Sequence, residues 1–166
     1  MPNLEGLDWF LEQVWGALKA RHPKLELHIA GRNTPARLRR LQLPGLVVHG
    51  EVPSATDFIN QHSIMIVPLL SGSGMRAKIL EGMALGKVVV TTRIGLEGIA
   101  AKAGKQVLVA DTAGEMAATL DRALEERAGL RQMGERAREL VLERYDSLAV
   151  ARCLMDAYSE LTVEVL

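Results

Sequence analysis

The chain has 166 residues, of which 48% are hydrophobic and 24% are charged, and its 20 basic residues balance 20 acidic ones. These values exclude a disordered or collagen-like chain, and a chain of this length forms a core that needs no disulfide or metal. Zero net charge and an aromatic content of 4% argue against nucleic acid as a partner. We predict a single domain over residues 1–166.

Two further features narrow the class of protein. The sequence has neither an apolar run long enough to cross a bilayer nor a signal-peptide pattern, so we predict a cytoplasmic location. Cys153 is the only cysteine, which excludes an intramolecular disulfide and a cysteine-based zinc site. We predict that Cys153 is a small core residue on a helix.

Helical and strand patterns alternate along the chain. The first part predicts a helix over 4–20, a strand over 25–30, a short helix over 34–41, a strand over 46–49, a helix over 54–61 and a strand over 64–67. The second part predicts a helix over 75–85, a strand over 88–92, a short helix or turn over 95–100, a strand over 107–110, and helices over 113–126, 128–144 and 148–161.

This alternation predicts an α/β fold, a Rossmann-like open parallel sheet with helices on both faces. The chain opens on a helix, whereas a doubly wound half begins on a strand, so we predict that the first strand is missing. Such a gap would expose an apolar sheet edge and favour a homodimer.

The loop after the strand over 64–67 contains the residues that most directly indicate a ligand-binding site. Ligands of open parallel sheets lie outside the carboxyl ends of the strands. Gly72 and Gly74 allow the backbone to approach a ligand, and the following helix start attracts anions. Arg76 and Lys78 add two cations there, and Glu81 lies two turns along, where it could accept hydrogen bonds from a diol. The spacing leaves open an ordinary tight turn with a solvated face.

Several segments resemble the C-terminal, donor-binding half of glycosyltransferases of family four, group 1, which have the GT-B fold. They are GEVP at 50–53, IVPLLSGSG at 66–74, KILEGMALG at 78–86 and VVVTTRIGLEG at 88–98, with PN at 2–3 and WFL at 9–11 resembling the opening of that half. The resemblance covers nearly the whole chain. It implies a retaining, metal-independent enzyme that uses a nucleotide-diphosphate sugar, with UDP or GDP as the nucleotide and no cofactor.

The resemblance also implies roles for individual residues. Glu81 would hold the ribose hydroxyls, and backbone N–H groups near Gly74 and Met75, beside Gly72 and Ser73, would bind the pyrophosphate. Arg76 and Lys78 would act as the catalytic cations that neutralise the leaving diphosphate.

The remaining positions of the resemblance lie in two other loops. Gly50 and Val52 would contact the base, and Glu97 would line the sugar pocket. Glu97 is equally consistent with a surface position at a helix start, where a carboxylate is favourable. Arg32 could face a phosphate. We expect structural roles for His28 and His49, and a surface or cap position for His62.

Two departures from the family pattern bear on function. A glutamate that most members carry eight residues before the ribose glutamate is replaced by Ser73, which leaves the sugar open. The chain also lacks the N-terminal acceptor-binding domain, so we expect no turnover from the chain alone. The full-length enzyme could lie peripherally at the inner membrane face, in polysaccharide biosynthesis. The alternatives are a non-catalytic, self-associating module of the same fold and a protein similar to nucleotide-sugar epimerases.

Overall fold

The computed structural model describes residues 2–163, except for the side chains of residues 127, 157 and 159–163. The first helix (residues 2–21) comprises α1 (Pro2–Phe10), a π-helical turn (Leu11–Trp15) and α2 (Gly16–Arg21). We predicted one uniform helix beginning at residue 4. The wider π-helical turn keeps Leu11, Val14 and Trp15 buried.

The remaining elements alternate in the predicted order, although the short helix or turn predicted over 95–100 lies at 93–96. They are β1 (Leu27–Ala30), α3 (Ala36–Arg39), β2 (Leu46–Gly50), α4 (Ala55–Asn60), β3 (Ile64–Val67), α5 (Ala77–Ala84), β4 (Val88–Thr91), α6 (Arg93–Leu96), β5 (Leu108–Val109), α7 (Ala113–Glu125), α8 (Arg127–Arg144) and α9 (Ser147–Val163). Two helices begin at side-chain caps, because the side chains of Ser54 and Thr112 each accept a hydrogen bond from the backbone N–H three residues on. Glu115 completes a capping box with Thr112.

The strands form two parallel sheets within the described residues, where we expected one. β1 pairs with β2, and β3, β4 and β5 pair in that order. β1 and β3 do not pair with each other, and each has an open edge. The α/β class with parallel strands and helices on both faces is confirmed.

Two clusters of buried apolar residues lie on opposite faces of β4. Val90 packs with Phe10, Val14 and Met116 from the first helix and α7. Val89, on the other face, packs in a cluster that contains Ile79 of α5. Because neighbouring strand residues point to opposite faces, β4 is buried on both sides.

The prediction for Cys153 is wrong, because this residue is exposed on α9. α9 packs against α8, and residues 151–156 lie on the exposed part of α9. The helical periodicity predicted the helix but not how much of its surface the rest of the chain covers. No helix among residues 2–163 is long and apolar enough to cross a membrane.

Candidate functional site

The loop that follows β3, residues 68–76, is held at the carboxyl edge of its sheet by two threonines of the neighbouring strand end. Thr91 Oγ1 donates to the Val67 carbonyl at 2.7 Å, and Thr92 Oγ1 donates to the Leu69 carbonyl at 2.5 Å. Both threonines are buried. The base of the loop is therefore fixed by hydrogen bonds that solvent does not reach.

The two glycines of the loop are required by its shape. Gly72 has a φ of 108° and Gly74 a φ of 81°, which L-residues rarely adopt. The loop bends so tightly that a Cβ added to Gly72 would lie 2.4 Å from Nη2 of Arg76. The guanidinium of Arg76 is thus folded back against the loop.

We predicted that the helix after this loop begins at Met75, one residue before Arg76. α5 begins at Ala77, with Arg76 at its N-cap position in an extended conformation. The Nε and Nη2 atoms of Arg76 are buried and have no hydrogen-bond partner among the described residues. Buried donors without partners are costly in a native protein, and a bound anion would satisfy them.

Lys78 lies beside Arg76, and its ammonium is partly removed from water. Its Nζ donates to Oδ1 of Asn3 at 2.6 Å. Burial, and then the charge of Arg76, lower the pKa of Lys78 from its ordinary value of 10.5. Two neighbouring cations at one helix start are an arrangement that a multiply charged anion would stabilise.

The first helix completes this edge of the site, through contacts that the sequence did not indicate. Ser71 Oγ donates to Oε2 of Glu5 at 2.8 Å, in addition to the Lys78–Asn3 bond. Gly6 packs on the backbone of Pro68, where an added Cβ would lie 1.9 Å from the carbonyl oxygen. Contacts across 62 to 75 residues leave no local signal, and the resemblance at residues 2–3 and 9–11 indicated the opening of the domain but not what this helix contacts.

Glu81 lies on the exposed side of α5, and Ile79 and Met83 are buried on its other side. Because residues three apart share a helix face, Glu81 lies one turn beyond Lys78 on the same face. Arg76 precedes the helix, and its guanidinium lies back against the loop rather than on the face that carries Lys78 and Glu81.

The loop after β4 approaches the same region. Gly98 has a φ of 77°, and a Cβ added to it would lie 3.6 Å from the backbone nitrogen of Met75. Met75 is 53% exposed, and Ser73 and Glu97 are exposed as well. Glu97 follows α6 as its C-cap residue rather than beginning a helix.

The loop after β2 contacts the loop after β1. Gly50 has a φ of 74°, and Arg32 Nε donates to Oε1 of Glu51 at 3.1 Å. Arg32 is therefore paired with a carboxylate and exposed. Glu51, Val52 and Lys78 line one cavity of about 1020 Å³, but Gly72, Gly74 and Met75 of the predicted phosphate-binding loop are not among its lining residues.

Three of the four histidines, His28, His49 and His62, form a cluster, and His49 directly precedes Gly50. His28 Nδ1 lies 3.0 Å from His49 Nε2, and the rings of His28 and His62 are 4.5 Å apart. His62 is half-buried rather than at the surface, and burial lowers its pKa. The described residues contain no group of three His, Cys, Asp or Glu side chains able to hold a metal ion.

Comparison with known proteins identifies the class. The profile of the family described as glycosyl transferases group 1 matches residues 1–126. The chain belongs to this family.

A curated relative from Klebsiella pneumoniae, named an uncharacterized 44.6 kDa protein in the cps region, is 28% identical over 160 residues. The match covers 90% of this chain and 41% of that protein, so the chain spans less than half of its relative's length.

Two solved structures establish the GT-B fold. Anabaena Alr3699/HepE, in complex with UDP, matches 90% of this chain and 44% of its own with a TM-score of 0.75 and 14% identity. The C-terminal domain of the glycosyl transferase group 1 family protein LpcC from Francisella tularensis matches 86% of this chain and 80% of its own, with a TM-score of 0.71 and 16% identity.

Proposed function

We propose that residues 1–166 form the donor-binding domain of a retaining, metal-independent glycosyltransferase and bind a UDP- or GDP-sugar. The observation that carries the proposal is the Arg76 guanidinium, whose buried donors have no hydrogen-bond partner in the described part of the chain and lie beside the partly buried Lys78. A diphosphate at this loop would accept from both side chains and from the backbone near Gly74. Family membership and the UDP in the Anabaena structure support the same ligand class.

In this proposal, the two cations act on the leaving group. When the bond between the sugar and the diphosphate breaks, negative charge grows on the diphosphate, and fixed positive charges lower the energy of that state. Arg76 and Lys78 would supply the charge that a divalent cation supplies elsewhere, which is our reason for proposing metal independence. Retention of configuration rests on the family resemblance.

The acceptor would be bound by a separate N-terminal domain. Since reaction requires both substrates to be held together, we propose that this chain binds the donor without transferring the sugar. The relative's place in a cps region supports a role in polysaccharide biosynthesis.

Nucleotide titration tests the proposal directly. We expect calorimetry to give a micromolar to millimolar Kd for UDP or GDP, unchanged by EDTA. Glu81→Ala should weaken binding about tenfold, because a carboxylate bond to a hydroxyl is lost. The matched control is Glu125→Ala, an exposed glutamate at the end of α7. Absence of binding to either nucleotide by the folded chain would refute the proposal.

The titration of Lys78 gives this binding a pH dependence. A bound diphosphate favours the charged ammonium and raises the pKa of Lys78 in the complex above its lowered value in the free protein. Affinity is therefore full below the free-protein pKa and falls as the pH rises through it. We expect Lys78→Arg to flatten this decline, because a guanidinium stays charged. Equal pH slopes for the two proteins would contradict the assignment.

A further inference from the structure

Neither cation of the loop after β3 forms an ion pair with a carboxylate of the described residues. This holds for the guanidinium of Arg76 and for the ammonium of Lys78. The loop after β1 differs, because its Arg32 pairs with Glu51 at 3.1 Å. The positive charge of the loop after β3 therefore remains uncompensated, although a neighbouring loop has its charge paired.

Lys78 has one hydrogen-bond partner in the described part of the chain. An ammonium has three N–H donors and no acceptor, and Lys78 Nζ uses one donor on Oδ1 of Asn3 at 2.6 Å. This acceptor is a neutral amide, so it orients the ammonium and leaves the charge in place. A carboxylate at the same position would form an ion pair and offset that charge.

The first helix fixes the position of Asn3 through two further contacts. Glu5, two residues along, accepts from Ser71 Oγ at 2.8 Å and is not paired with Lys78. Gly6 packs against the backbone at the base of the loop. Both contacts lie within one helical turn of Asn3. Its amide is therefore presented to Lys78 by an anchored backbone.

The ammonium of Lys78 needs support from an acceptor. Burial, and then the charge of Arg76, lower the pKa of Lys78 and favour loss of its proton. A hydrogen bond accepted from the charged form acts in the opposite direction, because it stabilises that form. The Asn3 amide therefore helps to keep Lys78 both charged and oriented.

We propose that Asn3 is a positioning residue for Lys78, whose ammonium it fixes beside the diphosphate-binding loop without cancelling the charge. This role rests on the proposed function, in which Lys78 neutralises the leaving diphosphate. Asn3 acts through Lys78 and takes no part in bond making or breaking. Because the amide must be neutral, an aspartate of the same size at this position would keep the contact and remove its benefit.

The test replaces Asn3 with aspartate, which adds a negative charge, and with alanine, which removes the acceptor. Gln13→Glu is the matched control, because it makes the same amide-to-carboxylate change at an exposed position about 15 Å along the same helix. The titration of Lys78 is followed in each protein, without nucleotide, by NMR of the lysine side chains, and Lys78→Arg identifies its signal. The Kd for UDP is then measured across pH by calorimetry.

We expect Asn3→Asp to raise the pKa of Lys78 and Asn3→Ala to lower it, whereas Gln13→Glu should leave it unchanged. At pH 7, Asn3→Asp should raise the Kd for UDP at least about 30-fold, and Asn3→Ala should raise it about fivefold. The decline of affinity with rising pH should move to higher pH in Asn3→Asp, because Lys78 keeps its proton longer, and to lower pH in Asn3→Ala. A purely structural role would change Tm without moving this decline.

Two results would overturn the role of Asn3 alone. One is the same titration of Lys78 in the original chain and in both Asn3 variants, all of which bind UDP. The other is an Asn3→Asp protein that binds UDP as tightly as the original chain, which would show that a neutral partner is not required. Failure of the folded original chain to bind UDP would refute the donor site, and the role of Asn3 with it. The NMR titration involves no nucleotide, so it separates these cases.

Discussion

Replacing Arg76 with methionine is expected to raise the Kd for UDP about 100-fold while leaving the chain as stable as before or more stable by about 1 kcal/mol. The affinity for UDP falls because the diphosphate would lose two charge-assisted hydrogen bonds from the guanidinium. The chain keeps its stability because the variant removes buried donors that have no hydrogen-bond partner within the described residues and keeps an apolar side chain against the loop.

The measurements are calorimetric titration with UDP and thermal unfolding without ligand. Arg138→Met is the control, because Arg138 is exposed on α8, away from the loop. If Arg76 served only to hold the loop, its replacement would lower Tm and weaken binding in proportion. A variant of lower Tm with unchanged UDP affinity would refute the anion site.

Replacing Gly6 with alanine is expected to destabilise the chain by about 3 kcal/mol, near the upper range for overpacking. The added Cβ would lie 1.9 Å from the Pro68 carbonyl oxygen, which is backbone and cannot move aside alone. The first helix must shift away, and the Asn3–Lys78 and Glu5–Ser71 hydrogen bonds go with it. Binding of UDP should weaken as well.

Gly16→Ala in the same helix is the matched control. No atom lies within 4 Å of an added Cβ there, so this variant should gain about 0.5–1 kcal/mol from helix propensity alone. In thermal unfolding, the two alanines should move Tm in opposite directions, with Gly6→Ala lowering it by roughly 6–12 °C. Similar small shifts for both would show that the helix does not pack on Pro68 so closely.

The sequence by itself determined the features that depend on near neighbours in the chain. The four-residue apolar run at Ile64–Val67 is β3 without any change of bounds, and the Ser54 and Thr112 caps bond three residues on. The placement of Lys78 and Glu81 one turn apart on α5 follows from helix geometry in the same way. Their roles in binding diphosphate and ribose stay predictions until nucleotide titration is done.

Only the tertiary structure decided the features that join distant segments. The usual burial of free cysteines predicted Cys153 in the core, whereas the packing of α9 leaves it exposed. Nothing near Asn3 or Glu5 in the sequence indicates a lysine or serine partner more than 60 residues away. The open edges of β1 and β3 likewise follow from how strands pair, which no single strand pattern contains. Capping hydrogen bonds and hydrophobic periodicity depend on residues a few positions apart, whereas strand pairing and side-chain packing depend on contacts between distant parts of the chain.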